Sequence, residues 1–315
     1  MKEIRIGHLS TSYHTCFILM ALASIEDKIG VKTHWRLFPT GPEIVKAFQS
    51  NELDIGYIGL PPAMIGINKG LKIKCVAGGH VEGTVLTGRK EYQTLDEIGN
   101  IKQTLAQFRG KLIGTPTRGS IHDVIIRKLI NEAGLRDEVT VKNFKWADFI
   151  LDAIVDGEVD GGCGTPPLAS LASSHADAKI IVPPSVMWPY NPSYGIVATE
   201  HVIENSDDIL EIFLKHHEDA CNLIREKPQE AAELVSKATQ DVIEKDFAFD
   251  TYRISPKYCA SLPKEYIVST LAFIDTMTVL GYITKPLKMD DVFNTRTVKK
   301  IHPGKHHYDN PGALQ

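Results

Sequence analysis

The sequence predicts an α/β protein with two similar lobes, each a mostly parallel sheet flanked by helices, and a ligand cleft between the lobes. Two observations support this fold class. Short apolar strands alternate with helical patterns up to about residue 190, which is typical of right-handed βαβ crossovers. The alternation restarts after Arg89, and the second half then repeats a short motif of the first.

The first half predicts four strands separated by three helices. The strands are predicted at residues 4–9, 32–38, 54–59 and 72–80. The helices are predicted at residues 14–30, 40–53 and 61–70. Gly30 is expected to end the first helix, and Thr40 is a candidate N-cap of the second, which has Pro42 in its first turn.

The second half repeats the scheme and then becomes helical. Helices are predicted at residues 94–108, 118–134 and 146–158, and strands at 111–116, 139–144 and around Cys163. From Ser206 onward helical patterns dominate, at residues 207–238 and 264–283. The last 15 residues, which are rich in His, Gly and Pro, are predicted to be a loose tail.

An internal repeat relates the two halves. The stretches NELDIGYIGLPPAM and GEVDGGCGTPPLA align as E-(L/V)-D-x-G-x-x-x-x-P. The matched pairs are Asp54 and Asp160, Gly56 and Gly162, Gly59 and Thr165, and Pro61 and Pro167. Two strands that each run into a Gly-rich turn and a Pro-started helix predict two junctions facing each other across a cleft. The alternative is a generic helix-to-strand turn used twice.

These junctions predict where a ligand binds. Ligands of open parallel sheets lie beyond the carboxyl ends of the strands, and a helix that starts there favours an anion. Four stretches qualify: STSYHT, GLPPA, TPTRGSIHD and GTPPLA. The candidate ligand-binding residues are Ser10, Ser12, Tyr13, His14, Gly59, Leu60, Pro61, Glu82, Thr84, Thr115, Thr117, Arg118, Gly119, Ser120, Thr165, Pro166, Tyr190 and Tyr194.

Several candidates have a plain structural alternative. Arg118 could bind an anion, or it could be solvated beside a helix capped by Ser120. Tyr13 and His14 could contact the ligand or pack under the next loop. The segment WPYNPSYG, with Tyr190 and Tyr194, is interpreted as a hinge-proximal segment that lines the cleft, or as aromatic residues packed onto a loop. Cys163 lacks an evident base and is expected to be a small buried side chain.

Composition excludes several function classes. The 315 residues carry a net charge of -4, which leaves no basic footprint for nucleic acid. The five cysteines are scattered without zinc-ligand spacing, so reduced thiols are expected, with one disulfide left open. No nucleotide-binding glycine motif is present. No metal, cofactor or catalytic residue is predicted, and the His pairs in KHHE and KHHY are interpreted as solvated.

The order of these motifs resembles a known family. GHLSTSYHTCFILMALA, the 40–80 stretch, LIGTPTRGSIHDVIIRKLINEAG and ILDAIVDGEVDGGCGTPPLASLA follow one another as in the NMT1/THI5-like solute-binding proteins for nitrate, sulfonates, taurine and pyrimidine precursors. The resemblance covers residues 3 to 290. It implies a type II periplasmic-binding-protein fold, with lobe one at residues 1–86 and 196–315 and lobe two at 87–195.

One branch of that family comprises intracellular pyrimidine synthases of thiamine biosynthesis. The Tyr13–His14 pair is similar to that branch. The branch's lysine and histidine, however, are replaced by Ile58 and Pro62, and its cysteine-rich motif near Tyr194 is missing. These departures argue against synthase activity.

The expected function is therefore a monomeric, non-catalytic protein that clamps a small anion or heterocycle and serves an ABC-type importer through its permease. The alternative is a cytoplasmic enzyme or ligand sensor on the same fold. The sequence as written starts without an apolar leader, and two locations stay open: extracytoplasmic if a leader was removed, cytoplasmic if Met1 is the native start.

Overall fold

Two five-stranded mixed sheets form the frame of the protein. The computed structural model of the chain describes residues 3–22 and 25–314. Its strands in chain order are β1 (Glu3–Leu9), β2 (Lys32–Phe38), β3 (Ile55–Ile58), β4 (Ile73–Val81), β5 (Val85–Arg89), β6 (Leu112–Pro116), β7 (Thr140–Phe144), β8 (Gly161–Gly164), β9 (Ala178–Val182) and β10 (Pro192–Thr199).

Helices flank both sheets. In the first half of the chain they are α1 (Cys16–Ala21), α2 (Ile25–Ile29), α3 (Gly41–Gln49), α4 (Leu60–Asn68), α5 (Leu95–Ile98), α6 (Ile101–Ala106), α7 (Ile121–Glu132) and α8 (Phe149–Val155). The later helices are α9 (Pro166–His175), α10 (Pro184–Met187), α11 (Glu200–Asn205), α12 (Asp207–Glu226), α13 (Pro228–Ala238), α14 (Lys245–Ile254), α15 (Lys264–Val279), α16 (Met289–Val292), α17 (Arg296–Ile301) and a 3₁₀ turn at Gly312–Leu314. None of the helices in the described ranges is long and apolar enough to span a membrane.

The two sheets share one topology. The first has the order β2-β1-β3-β10-β4 and the second β7-β6-β8-β5-β9. In each sheet one strand, β10 or β5, runs antiparallel to both of its neighbours, and the other pairings are parallel. The predicted α/β class with mostly parallel sheets is confirmed.

The chain passes between the sheets twice. It leaves the first sheet between β4 and β5 and returns between β9 and β10. The boundaries predicted after residues 86 and 195 fall inside β5 and β10, so by sheet membership the crossings lie at residues 82–84 and 183–191. The division into lobes at 1–86, 87–195 and 196–315 stays a prediction.

The internal repeat places equivalent groups in the two sheets. Asp54, just before β3, accepts a hydrogen bond from the Arg5 backbone N–H at 2.8 Å. Asp160, just before β8, accepts one from the Leu112 N–H at 3.0 Å. Each carboxylate thus satisfies an amide at the start of the neighbouring central strand. The repeated aspartate therefore has a structural role at the beginning of two strands in each sheet, and it does not line the ligand cleft.

Replacing Asp54 is expected to destabilise the fold. Its buried carboxylate also accepts from Nε and Nη2 of Arg5 at 2.9 and 2.8 Å, so Asp54→Ala leaves a strand amide and a guanidinium without their partner. We expect a loss of about 2–4 kcal/mol in the free energy of unfolding, measured by urea denaturation. Asp156→Ala, at an exposed helix end, is the control and should change stability by less than about 0.5 kcal/mol. Equal effects of the two substitutions would contradict this role.

Several predicted helices are shorter than expected. The helix predicted at 14–30 appears as α1 and α2, with residues 23 and 24 outside the described residues. The helix predicted at 94–108 is broken at Gly99, which ends α5 with a φ of 72°. The helical pattern at 207–238 breaks at Pro228, which starts α13 because it has no N–H to continue α12.

The C-terminal segment (residues 301–314) is ordered, which corrects the prediction of a loose tail. Tyr308 is buried, and its hydroxyl donates to the carbonyls of Cys259 and Ser261 at 2.6 and 3.0 Å. The prediction failed because most of the last 15 residues are not apolar, and the burial of the one aromatic residue, Tyr308, was not foreseen. Strands β5, β9 and β10 were also missed. β5 and β9 are only five residues long, and Thr and Gly in β5 and Pro, Ser and Gly in β10 obscure the alternation.

All five cysteines are free and buried. Cys163 lies in β8 with no exposed surface, as predicted for a packed strand residue. Burial raises the pKa of its thiol well above the usual range, which keeps it protonated and unreactive.

Candidate functional site

A cleft lies between the sheets at the carboxyl ends of their parallel strands. Its cavity volume is about 40 Å³, within about 520 Å³ of empty space that includes open solvent at the mouth. Loops that follow the strands of both sheets line it. The lining residues are Leu9, Ser10, Thr11, Tyr13, His14, Pro39, Thr40, Gly41, Gly59, Pro62, Pro116, Ser120, Ile121, His122, Ala147, Thr165 and Ser193. The position agrees with the general rule for ligands of open α/β sheets.

Four helices begin at this cleft. Their N-cap residues, which all line it, are Thr40 of α3, Gly59 of α4, Ser120 of α7 and Thr165 of α9. Two of these helices come from each sheet. Because the positive end of each helix dipole amounts to about half an elementary charge, the four converging ends favour negative charge in the cleft.

The N-cap residues that carry a hydroxyl group differ in whether that hydroxyl remains free to bind a ligand. Ser120 accepts a hydrogen bond from the Asp123 N–H at 3.3 Å, whereas the hydroxyls of Thr40 and Thr165 make no capping bond. Proline in the first turn of α3, α4 and α9 removes some of the free N–H donors. A ligand at these ends therefore depends on the dipoles together with the threonine hydroxyls.

Two buried polar atoms of the cleft have no protein partner in the part of the chain that the structure describes. They are Oγ1 of Thr40 and Nδ1 of His14, on side chains only 3% and 2% exposed. A buried polar group without a partner costs about 1–3 kcal/mol. A ligand that hydrogen-bonds to both would recover this cost, so the two atoms mark its expected position.

Among the residues that the structure describes, none of those lining the cleft is Asp, Glu, Lys or Arg. Burial lowers the pKa of His122 to about 4 and that of His14 well below its ordinary value, with the neighbouring His80 adding to the effect on His14. Both imidazoles are therefore neutral near pH 7. Within the described lining, the attraction to an anion therefore comes from the helix N-termini and the free hydroxyl groups and not from a cationic side chain.

An aromatic cluster supports the floor of the cleft. The rings of His14 and Tyr194 lie 4.1 Å apart between centroids, and those of Tyr13 and His80 lie 4.7 Å apart. The Tyr13 hydroxyl is hydrogen-bonded to Oγ of Ser193 at 2.6 Å, which joins the first loop to β10. These contacts fix the orientation of the His14 ring before a ligand arrives.

The structure separates the predicted site residues into two groups. Those that line the cleft are Ser10, Tyr13, His14, Gly59, Ser120 and Thr165. Those that do not are Ser12, Leu60, Pro61, Glu82, Thr84, Thr115, Thr117, Arg118, Gly119, Pro166, Tyr190 and Tyr194. Two of the second group contact lining residues from behind: Oγ1 of Thr84 is hydrogen-bonded to Nδ1 of His122 at 2.9 Å, and the ring centroid of Tyr194 lies 4.1 Å from that of His14.

Arg118 points away from the cleft, which corrects the prediction that it binds the anion. Gly119 has a φ of 82°, and this left-handed turn separates Arg118 from the helix start at Ser120. The exposed guanidinium instead contacts Tyr282, with Nε 3.3 Å from the hydroxyl. The alternative of a solvated arginine beside a Ser120 cap therefore describes this stretch.

Glu82 and Tyr190 belong to the crossings between the sheets rather than to the ligand contacts. The Tyr190 N–H donates to Glu82 Oε1 at 3.0 Å, and the Glu82 N–H donates to the Asn191 carbonyl at 2.9 Å. Lys257 pairs with the Glu82 carboxylate at 3.1 Å. Glu82 and Tyr190 have positive φ angles of 61° and 55°, a conformation that costs about 1–2 kcal/mol for a non-glycine residue. The two crossings are thus bonded to each other in a strained conformation.

Three functional residues were missed by sequence reasoning. Thr40 was recognised only as an N-cap, although Thr-Gly-Pro after a strand has the same pattern as the predicted junctions. His122 follows Ser120 closely and could have been included with it. Ser193 reaches the cleft on the antiparallel strand β10; it lies in the WPYNPSYG segment that was predicted to line the cleft, but only Tyr190 and Tyr194 were named as its contacts.

Comparisons with known proteins agree with this architecture. Residues 1–239 match the sequence profile of the NMT1-like family. A Bacillus subtilis (strain 168) protein named for binding aliphatic sulfonates is 28% identical over 239 residues, 75% of this chain and 69% of its own. The alkanesulfonate-binding protein of Xanthomonas axonopodis pv. citri, solved with MOPS, has a TM-score of 0.78 at 15% identity, covering 93% of this chain and 98% of that one. The periplasmic nitrate-binding protein of Synechocystis PCC 6803 has a TM-score of 0.76 at 11% identity, covering 96% and 88%.

Proposed function

The chain belongs to the NMT1-like family, and on this premise we propose that it is the ligand-binding component of an ABC-type importer for a small, singly charged organic anion, with an aliphatic sulfonate as the favoured class. The relative from Bacillus subtilis is named for such ligands. The likeness to the solved sulfonate- and nitrate-binding proteins supports the fold on which the proposal rests.

One observation carries the proposal. Four helix N-termini, two from each sheet, meet at a cavity whose lining has no charged side chain. A single negative charge is stabilised by this field, whereas the second charge of sulfate or of a phosphate dianion has no cation to pair with. The free hydroxyl of Thr40 and the neutral His14 supply hydrogen bonds to the oxygens of the anion.

The walls of the cleft suit an apolar substituent. Leu9, Pro39, Pro62, Ile121 and Ala147 all line it. An alkyl group on the anion would bury its surface against these side chains at about 25 cal/mol per Å². The combination of apolar walls and a polar end favours a sulfonate over a bare inorganic anion.

Binding would also hold the two sheets together. The ligand contacts loops of both, and Ser10 already donates to Asp148 across the mouth at 3.3 Å. A ligand shifts the equilibrium toward the closed arrangement because only that arrangement offers it both sets of contacts.

Calorimetry with matched ligands tests which charge and which chemical class of ligand the cleft prefers. Methanesulfonate is expected to bind one to one and at least about tenfold more tightly than dimethyl sulfone, its uncharged analogue, since a hydrogen bond to a charged group contributes about 1.5–3 kcal/mol. Sulfate should bind more weakly than methanesulfonate as well.

The outcomes separate the parts of the proposal. Equal affinity for the sulfone would show that the site prefers uncharged ligands, and tighter sulfate binding would show that it accepts two charges. Failure of a panel of sulfonates and nitrate to bind would overturn the ligand class. The importer role is tested by uptake of a labelled sulfonate into cells, which should be lost when the gene is deleted.

A further inference from the structure

Four side chains with metal-binding donor atoms meet outside the cleft. Glu218 lies on α12, Cys259 lies between α14 and α15, His302 follows α17, and His307 lies in the C-terminal segment. One donor atom from each lies within 4.8 Å of all the others. Glu218 and Cys259 are buried, and the two imidazoles are partly buried. Nothing in the ligand-binding role uses this cluster.

Three of the six donor-to-donor distances in the cluster match those between the ligands of one small cation. Sγ of Cys259 lies 3.4 Å from Nε2 of His302, and that nitrogen lies 3.5 Å from Oε1 of Glu218. Nδ1 of His307 lies 3.4 Å from the same Oε1. Bonds of about 2.0–2.3 Å from zinc to N, O and S ligands give a tetrahedron with edges of roughly 3.3–3.8 Å.

Hydrogen bonding among these groups does not account for the arrangement. Glu218 Oε1 and His307 Nδ1 face each other at 3.4 Å, yet neither has a hydrogen-bond partner in the described part of the chain. A buried carboxylate oxygen without a partner is unfavourable. A cation between the two atoms would satisfy both lone pairs.

A Cys-His-Glu nucleophile is also a poor description of the cluster. In such a triad one imidazole nitrogen faces the nucleophile and the other is oriented by the acid. Here Nε2 of His302 faces both Cys259 and Glu218, while its Nδ1 has no partner in the described ranges. Sulfur, nitrogen and oxygen converge on one point, as they do around a metal.

Neighbouring groups already orient two of the four donors. The second carboxylate oxygen of Glu218 accepts the Ala260 N–H at 2.7 Å. The sulfur of Cys259 accepts the N–H groups of Ser261 and His307, both at 3.4 Å. Such outer hydrogen bonds are typical of metal ligands. An open surface hollow, lined in part by Lys305 and His306, gives access from solvent.

We propose that Glu218, Cys259, His302 and His307 form a structural Zn²⁺ site that fastens the C-terminal segment to α12. One thiolate, two imidazoles and one carboxylate suit zinc, and four protein ligands leave no open position for catalysis. The site acts beside the buried anchor at Tyr308, the residue that follows His307.

Metal titration of the full-length protein tests the proposal. After treatment with a chelator, the protein is expected to bind one Zn²⁺ per chain in competition with a chromogenic chelator. Co²⁺ in the same site should show the sulfur-to-cobalt charge-transfer band and the intense visible bands of tetrahedral coordination. Chelation should lower the melting temperature of the wild-type protein.

Matched variants locate the site. His307→Gln should weaken Zn²⁺ binding by at least about 100-fold, since loss of an outer partner alone typically costs 10–100-fold. His306→Gln, in the same hollow but outside the cluster, should leave the affinity unchanged. Cys259→Ser should abolish the sulfur band, and circular dichroism establishes that each variant is folded.

Other results would overturn the site. Absence of Zn²⁺ binding by the wild-type protein would do so, as would a Co²⁺ spectrum without the sulfur band. Equal loss in His306→Gln and His307→Gln would show non-specific binding to surface imidazoles. If either ligand variant fails to fold, the wild-type Co²⁺ spectrum and stoichiometry decide alone.

Discussion

Thr165→Asp is expected to abolish binding of methanesulfonate while leaving the protein folded. Thr165 is the N-cap of α9 and lines the cleft. Aspartate is among the best N-cap residues, so the helix should be as stable as before. Its carboxylate would stand where the proposed anion binds. Two like charges about 4 Å apart repel by about 4 kcal/mol at an effective dielectric constant of 20, which corresponds to about a 1,000-fold loss of affinity.

Thr165→Asn is the matched control. Asparagine has nearly the same size and caps helices equally well, but it is neutral. Calorimetry should therefore find its affinity within about tenfold of the wild type. Similar weakening in both variants would indicate a steric effect, and tight binding by the Asp variant would place the anion elsewhere.

Acid is expected to unfold this protein steeply between about pH 6.5 and about pH 4. Burial lowers the pKa of His80 to about 3 and that of His122 to about 4, and it lowers the pKa of His14 as well. The Ser255 carbonyl bonded to His80 works against the shift, and the charge of Lys257 adds to it. All three imidazoles are neutral in the folded protein and take up a proton near pH 6.5 once unfolded.

The lowered pKa values of these histidines make the folded protein less stable as the pH falls. Stability from the three neutral histidines is fully present above about pH 6.5 and is lost as the pH falls toward their folded pKa values. Each contributes a slope of about 1.4 kcal/mol per pH unit. Burial also lowers the pKa of His217 to about 4, so the four histidines together contribute about 5 kcal/mol per unit. Two pH units therefore remove as much free energy as a typical domain possesses.

Urea denaturation across this pH range measures the slope. His122→Asn removes one titrating group and keeps a polar atom near Thr84, the partner of Nδ1. The slope for this variant should be about 1.4 kcal/mol per pH unit smaller than for the wild type. An unchanged slope would mean that His122 is protonated in the folded state at these pH values.

Sequence reasoning predicted the strand-to-helix junctions better than the residues that reach the cleft from them. The helix starts at Gly59, Ser120 and Thr165 were predicted from local patterns of Gly, Ser, Thr and Pro, and the structure has helices beginning there. Arg118 looked like the natural anion ligand from the same pattern. In the structure, a turn with a positive φ at Gly119 follows Arg118, whose side chain points away from the cleft. Residue types alone do not predict the direction of such a turn.

The contacts between distant parts of the chain were not predicted from local patterns. Ser193 enters the cleft because β10 returns to the first sheet and inserts antiparallel between β3 and β4. The Glu218, Cys259, His302 and His307 cluster joins three separate segments, and only His302 and His307, with four residues between them, have a spacing typical of zinc ligands. The two missed features have the same cause, which is long-range packing.

The amino-acid sequence alone determined the α/β class, the doubled architecture and the helix starts, because hydrophobic periodicity and turn residues act over a few neighbouring positions. Tertiary structure decided which of those starts share a cavity, that no charged side chain enters it, and that His14 and His122 are neutral there. Burial and dipole direction arise only when distant segments pack together, so the electrostatics of the cleft belong to the fold as a whole.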